Sequence, residues 1–406
     1  MAGAGKIPEE AVTVVMVAFP AQGHLNMLLH LARLIASYNI PVHYVCTPPH
    51  IRQAKLRVHG WNPDSISNIH FHGFPVPHYE APPPDPNSAQ KVPVHQIPAI
   101  LSSVHLRDPV FQLMKTLSSS STKRLVVIHD ALMTYVIGDI GLVPNAESYA
   151  FSVSSALCSY SALWELAGKP EGVPEFQLLQ VLPRLNYPQE LQEFVRLLLG
   201  TKITSSGTLI NSCTAIDGPF LDHRTKFKSF GSDKVWAVGP LHPLHHVMVN
   251  DEEDQGQQRH YCLDWLDKQA PHSVIFVTFG SSTTLSDEEI KEMAIGLEKS
   301  KQKFLWVLRD ADKGDISNHE GGDDQVKEVL RVGLPVLPEF LSSDPHAEKI
   351  QVTSKDIENT VRKLMDSAEG HQMRQRAQEV SIAVKASTMD NGTPFGVDSF
   401  VAHIRR

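Results

Sequence analysis

Two residue types suited to proton transfer stand far apart in the chain, each directly behind a short apolar run. His24 closes the turn Pro20-Ala21-Gln22-Gly23-His24 that follows Val12–Phe19, and Asp130 comes after Leu125–Ile128 and His129. An imidazole is the side chain whose ordinary pKa permits proton abstraction near neutrality. A carboxylate beside it selects one tautomer and balances the imidazolium. Each residue also has a structural reading, His24 as a helix-start histidine and Asp130 as a helix cap. Gly23, just before the histidine, lets a ligand approach the backbone closely. A third candidate is Gly280-Ser281-Ser282, behind the run Ser273–Phe279. Its N–H groups and hydroxyls suit a diphosphate at a helix start, and it serves equally as a plain strand-to-helix turn.

Several chemistries have no footing in the sequence. Neither glycine-bearing turn has the G-x-G-x-x-G spacing of a dinucleotide site or the G-x-x-x-x-G-K-[ST] of a P-loop, and no G-x-S-x-G elbow occurs. His70 and His72, and the group His242, His245 and His246, lack a carboxylate or cysteine at metal-ligand spacing, so no metal is expected. Lys and Arg number 37 against 45 Asp and Glu, a formal charge of -8 without a long basic run, which argues against nucleic acid or an anionic membrane as partner. The four cysteines, Cys46, Cys158, Cys213 and Cys262, show no C-x-x-C spacing, as expected of a reducing compartment. No apolar run approaches the ~20 residues of a membrane span. A cytoplasmic, monomeric enzyme is the resulting expectation.

The elements that must position these residues follow from periodicity. Val12–Phe19 is apolar on both faces, as a strand covered on two sides in a parallel sheet must be. Leu25–Ser37 carries apolar residues at helical spacing. Val42–Cys46, Ile69–Phe74 and Leu125–Ile128 read as further strands, with Pro75–Pro86 a surface loop. Trp236–Tyr261, with two prolines and the acidic run Asp251–Asp254, reads as a linker, after which the rhythm restarts. Ser273–Phe279 and Phe304–Leu308 are strands flanking a helix over Leu285–Leu297. The loop Asp310–Asp324 holds six acidic residues and three glycines, and helices follow over Ile357–Met365, Met373–Val384 and Phe395–Ile404. The alternation predicts an α/β protein with parallel strands, divided as 1–240, a linker 241–262, and 263–406.

The stretch VVMVAFPAQGHLNMLLHLARLI resembles the amino-terminal signature of plant UDP-sugar-dependent glycosyltransferases. VHYVCTPPHIRQAKLRVHGW, IHFHGFPVPHYEAPPPDP, VVIHD and WVLRDADKGD are similar to the zeatin O-glucosyltransferase branch, cis-zeatin type. The resemblance implies a GT-B fold, two Rossmann-like domains, the first binding the acceptor and the second UDP-glucose as co-substrate, with no cofactor. It implies inverting transfer of glucose to a hydroxyl of a small acceptor, a cytokinin such as zeatin. His24 would be the base, Asp130 its partner, and Gly23, Gly280 and Ser281 donor-binding residues.

The sequence departs from that family in one block. The W-A-P-Q and H-C-G-W-N-S motifs of the donor signature, and the D-Q or E-Q pair that ends it, are absent from the region between Trp306-Val307-Leu308-Arg309 and Glu328–Leu334. By resemblance this removes three strands of the second sheet, so the second domain is expected to be incomplete and poorly packed after Asp310, with Val332–Leu337 repacking. A non-catalytic small-molecule binder, and loss of a coding segment in transcript processing, stand beside the enzyme as readings.

Overall fold

The computed structural model describes residues 12–58, 61–82, 94–120, 122–160, 189–224, 234–241, 261–279, 285–307, 352–388 and 394–406. Its first unit is a parallel sheet of β1 (Val12–Val17), β2 (Val42–Cys46), β3 (Ile69–Gly73), β4 (Arg124–Asp130), β5 (Ala146–Ser152), β6 (Ser205–Ile210) and β7 (Val235–Ala237). The order across the sheet is β3-β2-β1-β4-β5-β6-β7. Every residue of β1 is buried, which is why its sequence is apolar on both faces.

On one face lie α1 (Gln22–Ala36) and α2 (Pro48–Arg57), with Leu25, Leu28, Leu29, Ala32 and Ile35 packed on Val14, Met16, Tyr44 and Ile128. On the other lie α3 (Ile97–Ser102), α4 (Arg107–Ser118), the 3-10 segment Ala131–Ile137 and the helix Gln189–Gly200, around Val15, Val17, Leu125 and Val127. The α1 helix begins at Gln22, three residues before the expected Leu25, so Gln22, Gly23 and His24 form its first turn instead of preceding it.

The expected linker start is corrected. Trp236 belongs to β7, paired with Leu209 of β6, and Tyr261 opens the short helix Tyr261–Leu266. Trp236 packs edge-on against Tyr149 and Phe400, with ring centroids 5.8 and 5.3 Å away. A Cβ on Gly207 would come within 2.4 Å of the Trp236 ring, so only glycine permits this approach. The helix Phe395–Ile404, which the sequence division leaves with the second domain, packs on this first sheet. Its Val397, Phe400, Val401 and Ile404 join the α1 core, and Arg124 of β4 donates to its last carbonyls, His403 O and Ile404 O, at 3.2 and 2.9 Å.

A second unit follows the expected βαβ pattern. Strands β8 (Val274–Val277) and β9 (Lys303–Trp306) are parallel and flank the helix Asp287–Ser300. That helix starts with a capping box between Ser286 and Glu289. It packs against the helix Ser354–Asp366, where a Cβ on Gly296 would lie 2.6 Å from Ile357. The helix Ala368–Lys385 then reaches the helix Thr214–Arg224 of the first unit. No residue of β8 or β9 is buried, and Phe276 is 62% exposed. Gly280-Ser281-Ser282, His242, His245, His246, Pro83–Pro86, Asp310–Asp324 and Val332–Leu337 lie outside the described residues.

Candidate active site

The chain leaves β1 toward β2 on one flank and leaves β4 toward β5 on the other, so the loops diverge and open a crevice between the carboxyl ends of β1 and β4. The pairing of Val17 with His129 sets the next residue, Asp130, at the mouth of that crevice. His24 reaches it from the first turn of α1. The two residues, 106 positions apart, meet with His24 Nδ1 2.7 Å from Asp130 Oδ2.

Asp130 is 2% exposed and His24 22%. The other carboxylate oxygen, Oδ1, accepts the Leu132 N–H at 3.0 Å and caps the 3-10 segment, so Asp130 is a cap as well as a neighbour of His24. Against an ionised carboxylate, which only accepts, Nδ1 is the donor, and Nε2 then keeps its lone pair in the neutral ring. That is the tautomer a general base needs. Gly23 precedes His24 in the helix, and a Cβ placed on it would meet no atom within 4 Å. Nothing among the described residues demands glycine there, and the space beside the first turn is open. Gly280 and Ser281 lie outside the described residues.

Burial disfavours charge on several described groups near the pair. His129 is fully buried. Its Nδ1 lies 2.9 Å from the Asp130 carbonyl and its Nε2 has no partner; burial pushes it down to about 4. Burial likewise pushes the Cys46 thiol up to about 12 and raises Tyr44 and Tyr135 above the ordinary phenol range. None of the four cysteines forms a disulfide among the described residues.

Three features escaped the sequence reading. The Phe19 ring lies 4.9 Å from that of His24, and Phe19 is in turn backed by Phe194 at 6.4 Å. Gln22 ties the start of α1 to α2: its Oε1 accepts from Gln53 Nε2 at 2.8 Å and from Arg57 at 3.2 Å, while its own amide donates to Asn26 at 2.6 Å. His43 joins His70 and His72, its Nδ1 2.8 Å from His72 Nε2. Strand pairing carries that last contact, and only the shared alternation of β2 and β3 hinted at it.

The amino-terminal part of the chain, residues 10–243, matches the family model described as glycosyltransferase, N-terminal domain. Zeatin O-glucosyltransferase of Phaseolus lunatus is 38% identical, with 98% of each chain covered. The chain belongs to the plant UDP-glycosyltransferase family. Zeatin O-xylosyltransferase of Phaseolus vulgaris is 37% identical over 98% of this chain and 99% of its own. Cis-zeatin O-glucosyltransferase 2 of Zea mays is 33% identical over 98% and 99%. The fold matches a UDP-glucosyltransferase from Polygonum tinctorium solved with 3,4-dichloroaniline, at a TM-score of 0.70 and 18% identity, with 97% of this chain and 99% of that one covered. This chain is thus a GT-B member and by family a transferase. The alignment with the Phaseolus lunatus protein runs over 469 positions, 63 more than the 406 residues here, so at least that many positions face a gap in this glycosyltransferase. No helix among the described residues is long and apolar enough to cross a membrane.

Proposed function

We propose that this glycosyltransferase moves glucose from UDP-glucose to a hydroxyl of a small acceptor of the zeatin type, with inversion at the anomeric carbon. The observation that carries the reading is the 2.7 Å contact between His24 and a buried Asp130 at the sheet's switch point. Nε2 of His24 takes the hydroxyl proton, and the oxygen lone pair forms the bond to the anomeric carbon. The bond from that carbon to the diphosphate oxygen breaks with its electron pair leaving on UDP. Asp130 stabilises the imidazolium without taking the proton. Gly23, with open space before it, and Gly280 and Ser281 are assigned to the donor side. The relatives at 38% and 37% identity bear glucosyl and xylosyl names, so UDP-xylose belongs in the same test.

Incubation with UDP-glucose or UDP-xylose and zeatin, read by mass spectrometry, gives a hexose or pentose adduct that His24→Ala abolishes. A second reading, a binder without transfer, is supported by the absent donor motifs and the alignment gap. Zeatin binding by calorimetry from a folded chain that binds no UDP and yields no adduct selects it.

A further inference from the structure

Phe19 and His24 stand in the same stretch, VVMVAFPAQGHLNMLLHLARLI, whose resemblance gives the histidine a role and the phenylalanine none. Phe19 is 5% exposed, at the end of the first strand's run, and its carbonyl accepts the Ala21 N–H at 2.8 Å within the tight turn into α1. Its ring centre is 4.9 Å from the imidazole, with the planes 53° apart. Behind it, Phe194 of the helix Gln189–Gly200 stands 6.4 Å away and is itself held edge-on by Tyr135 at 5.5 Å. Phe19 is thereby wedged between a rigid aromatic backing and the imidazole.

Among the described residues, the imidazole meets a hydrogen-bond partner at Nδ1 and a ring contact with Phe19. The titratable groups around the pair are Asp130 and His129 on β4, Tyr44 and Cys46 on β2, and Tyr135 on the 3-10 segment, while Glu193 and Arg196 on the helix Gln189–Gly200 are exposed. Burial disfavours the charged forms of Tyr44, Cys46, His129 and Tyr135. A cation over the face of an aromatic ring, within about 6 Å of its centre, is attracted by the quadrupole, and desolvation strengthens that attraction.

We propose that Phe19 is a positioning residue that fixes the orientation of the His24 ring and stabilises the imidazolium formed when the acceptor hydroxyl gives up its proton. The inference rests on the assignment of His24 as base, but its test needs neither donor nor acceptor. In the full-length chain with 15N- and 13C-labelled histidine, the His24 resonance is identified by its loss in His24→Gln and titrated by NMR. Phe19→Leu lowers the proton affinity of His24 by about threefold, and Phe19→Tyr restores it. Equal titration curves for folded wild type and Phe19→Leu overturn the proposal. The unmodified chain supplies a second measurement, a nuclear Overhauser contact between the Phe19 ring and the His24 imidazole, and its absence overturns the proposal even where Phe19→Leu does not fold. Absence of sugar transfer by the wild-type chain, with the titration shift intact, condemns the transferase reading and leaves the role of Phe19 standing.

Discussion

Asparagine at position 130 separates the charge of the buried partner from its shape. In Asp130→Asn the side-chain oxygen still caps Leu132, so the 3-10 segment keeps its start. The amide NH2 then occupies the place of the carboxylate oxygen that lies 2.7 Å from Nδ1. An N–H donated to Nδ1 forces the imidazole proton onto Nε2, which removes the lone pair that would accept the hydroxyl proton. The imidazolium also loses its counter-charge. With charge centres about 4 Å apart and an effective dielectric of about 20, that attraction is worth about 4 kcal/mol, or about 10³-fold in rate. His24 is 22% exposed, and the resulting screening brings the expected loss to between about 10² and 10³. The assay is the initial rate of hexose transfer from UDP-glucose to zeatin by liquid chromatography and mass spectrometry, with the tautomer read from the 15N shifts of labelled His24. A folded Asp130→Asn protein that transfers within tenfold of wild type, or that keeps the proton on Nδ1, refutes the reasoning.

Three further outcomes follow from packing and burial. Phe400→Ala empties a fully buried position between Tyr149 and Trp236 and should cost about 3–5 kcal/mol; urea unfolding followed by tryptophan fluorescence measures it, and a loss below ~1 kcal/mol would show that the last helix is not anchored there. His129 is depressed by burial to about 4. The unfolded chain therefore binds a proton near pH 6.5 that the native chain refuses, so stability is complete above that pH and falls between about 6.5 and about 4. His129→Asn should flatten that limb of a pH-dependent urea midpoint, and an unchanged slope would exclude His129 as its source. Phe276→Thr alters a side chain 62% exposed on β8, so it should change stability by less than ~0.5 kcal/mol while reducing the binding of an apolar fluorescent dye; dye binding equal to wild type would place the apolar surface elsewhere.

The strands β1, β2 and β4 were legible because a parallel strand covered on both faces has to be apolar whatever its neighbours are. The same rule hid β5. Glu147 is tolerated inside the sheet because Arg124 of β4 donates to it at 2.8 Å, and Ser148 because its hydroxyl donates to the Thr204 carbonyl at 3.0 Å. Those partners come from elsewhere in the chain, and no local pattern announces them. Trp236 reads as linker in the sequence because a three-residue edge strand has no periodicity, and its place depends on the gap left by Gly207 on the neighbouring strand.

The sequence alone determined which residues could do the chemistry: a histidine behind one buried strand, an aspartate behind another, a glycine before the histidine, and the absence of the donor motifs. Residue type and the apolar runs beside them are local properties, and they survive any arrangement of the chain. Only the tertiary structure decided that His24 and Asp130 meet at 2.7 Å across 106 residues, because that depends on β1 and β4 lying side by side. It also decided that the last ten-residue helix closes the first sheet and that Phe19 lies against the imidazole. Contacts of this kind are set by strand order and by which side chains fill the same space, and neither is written in the spacing of residues along the chain.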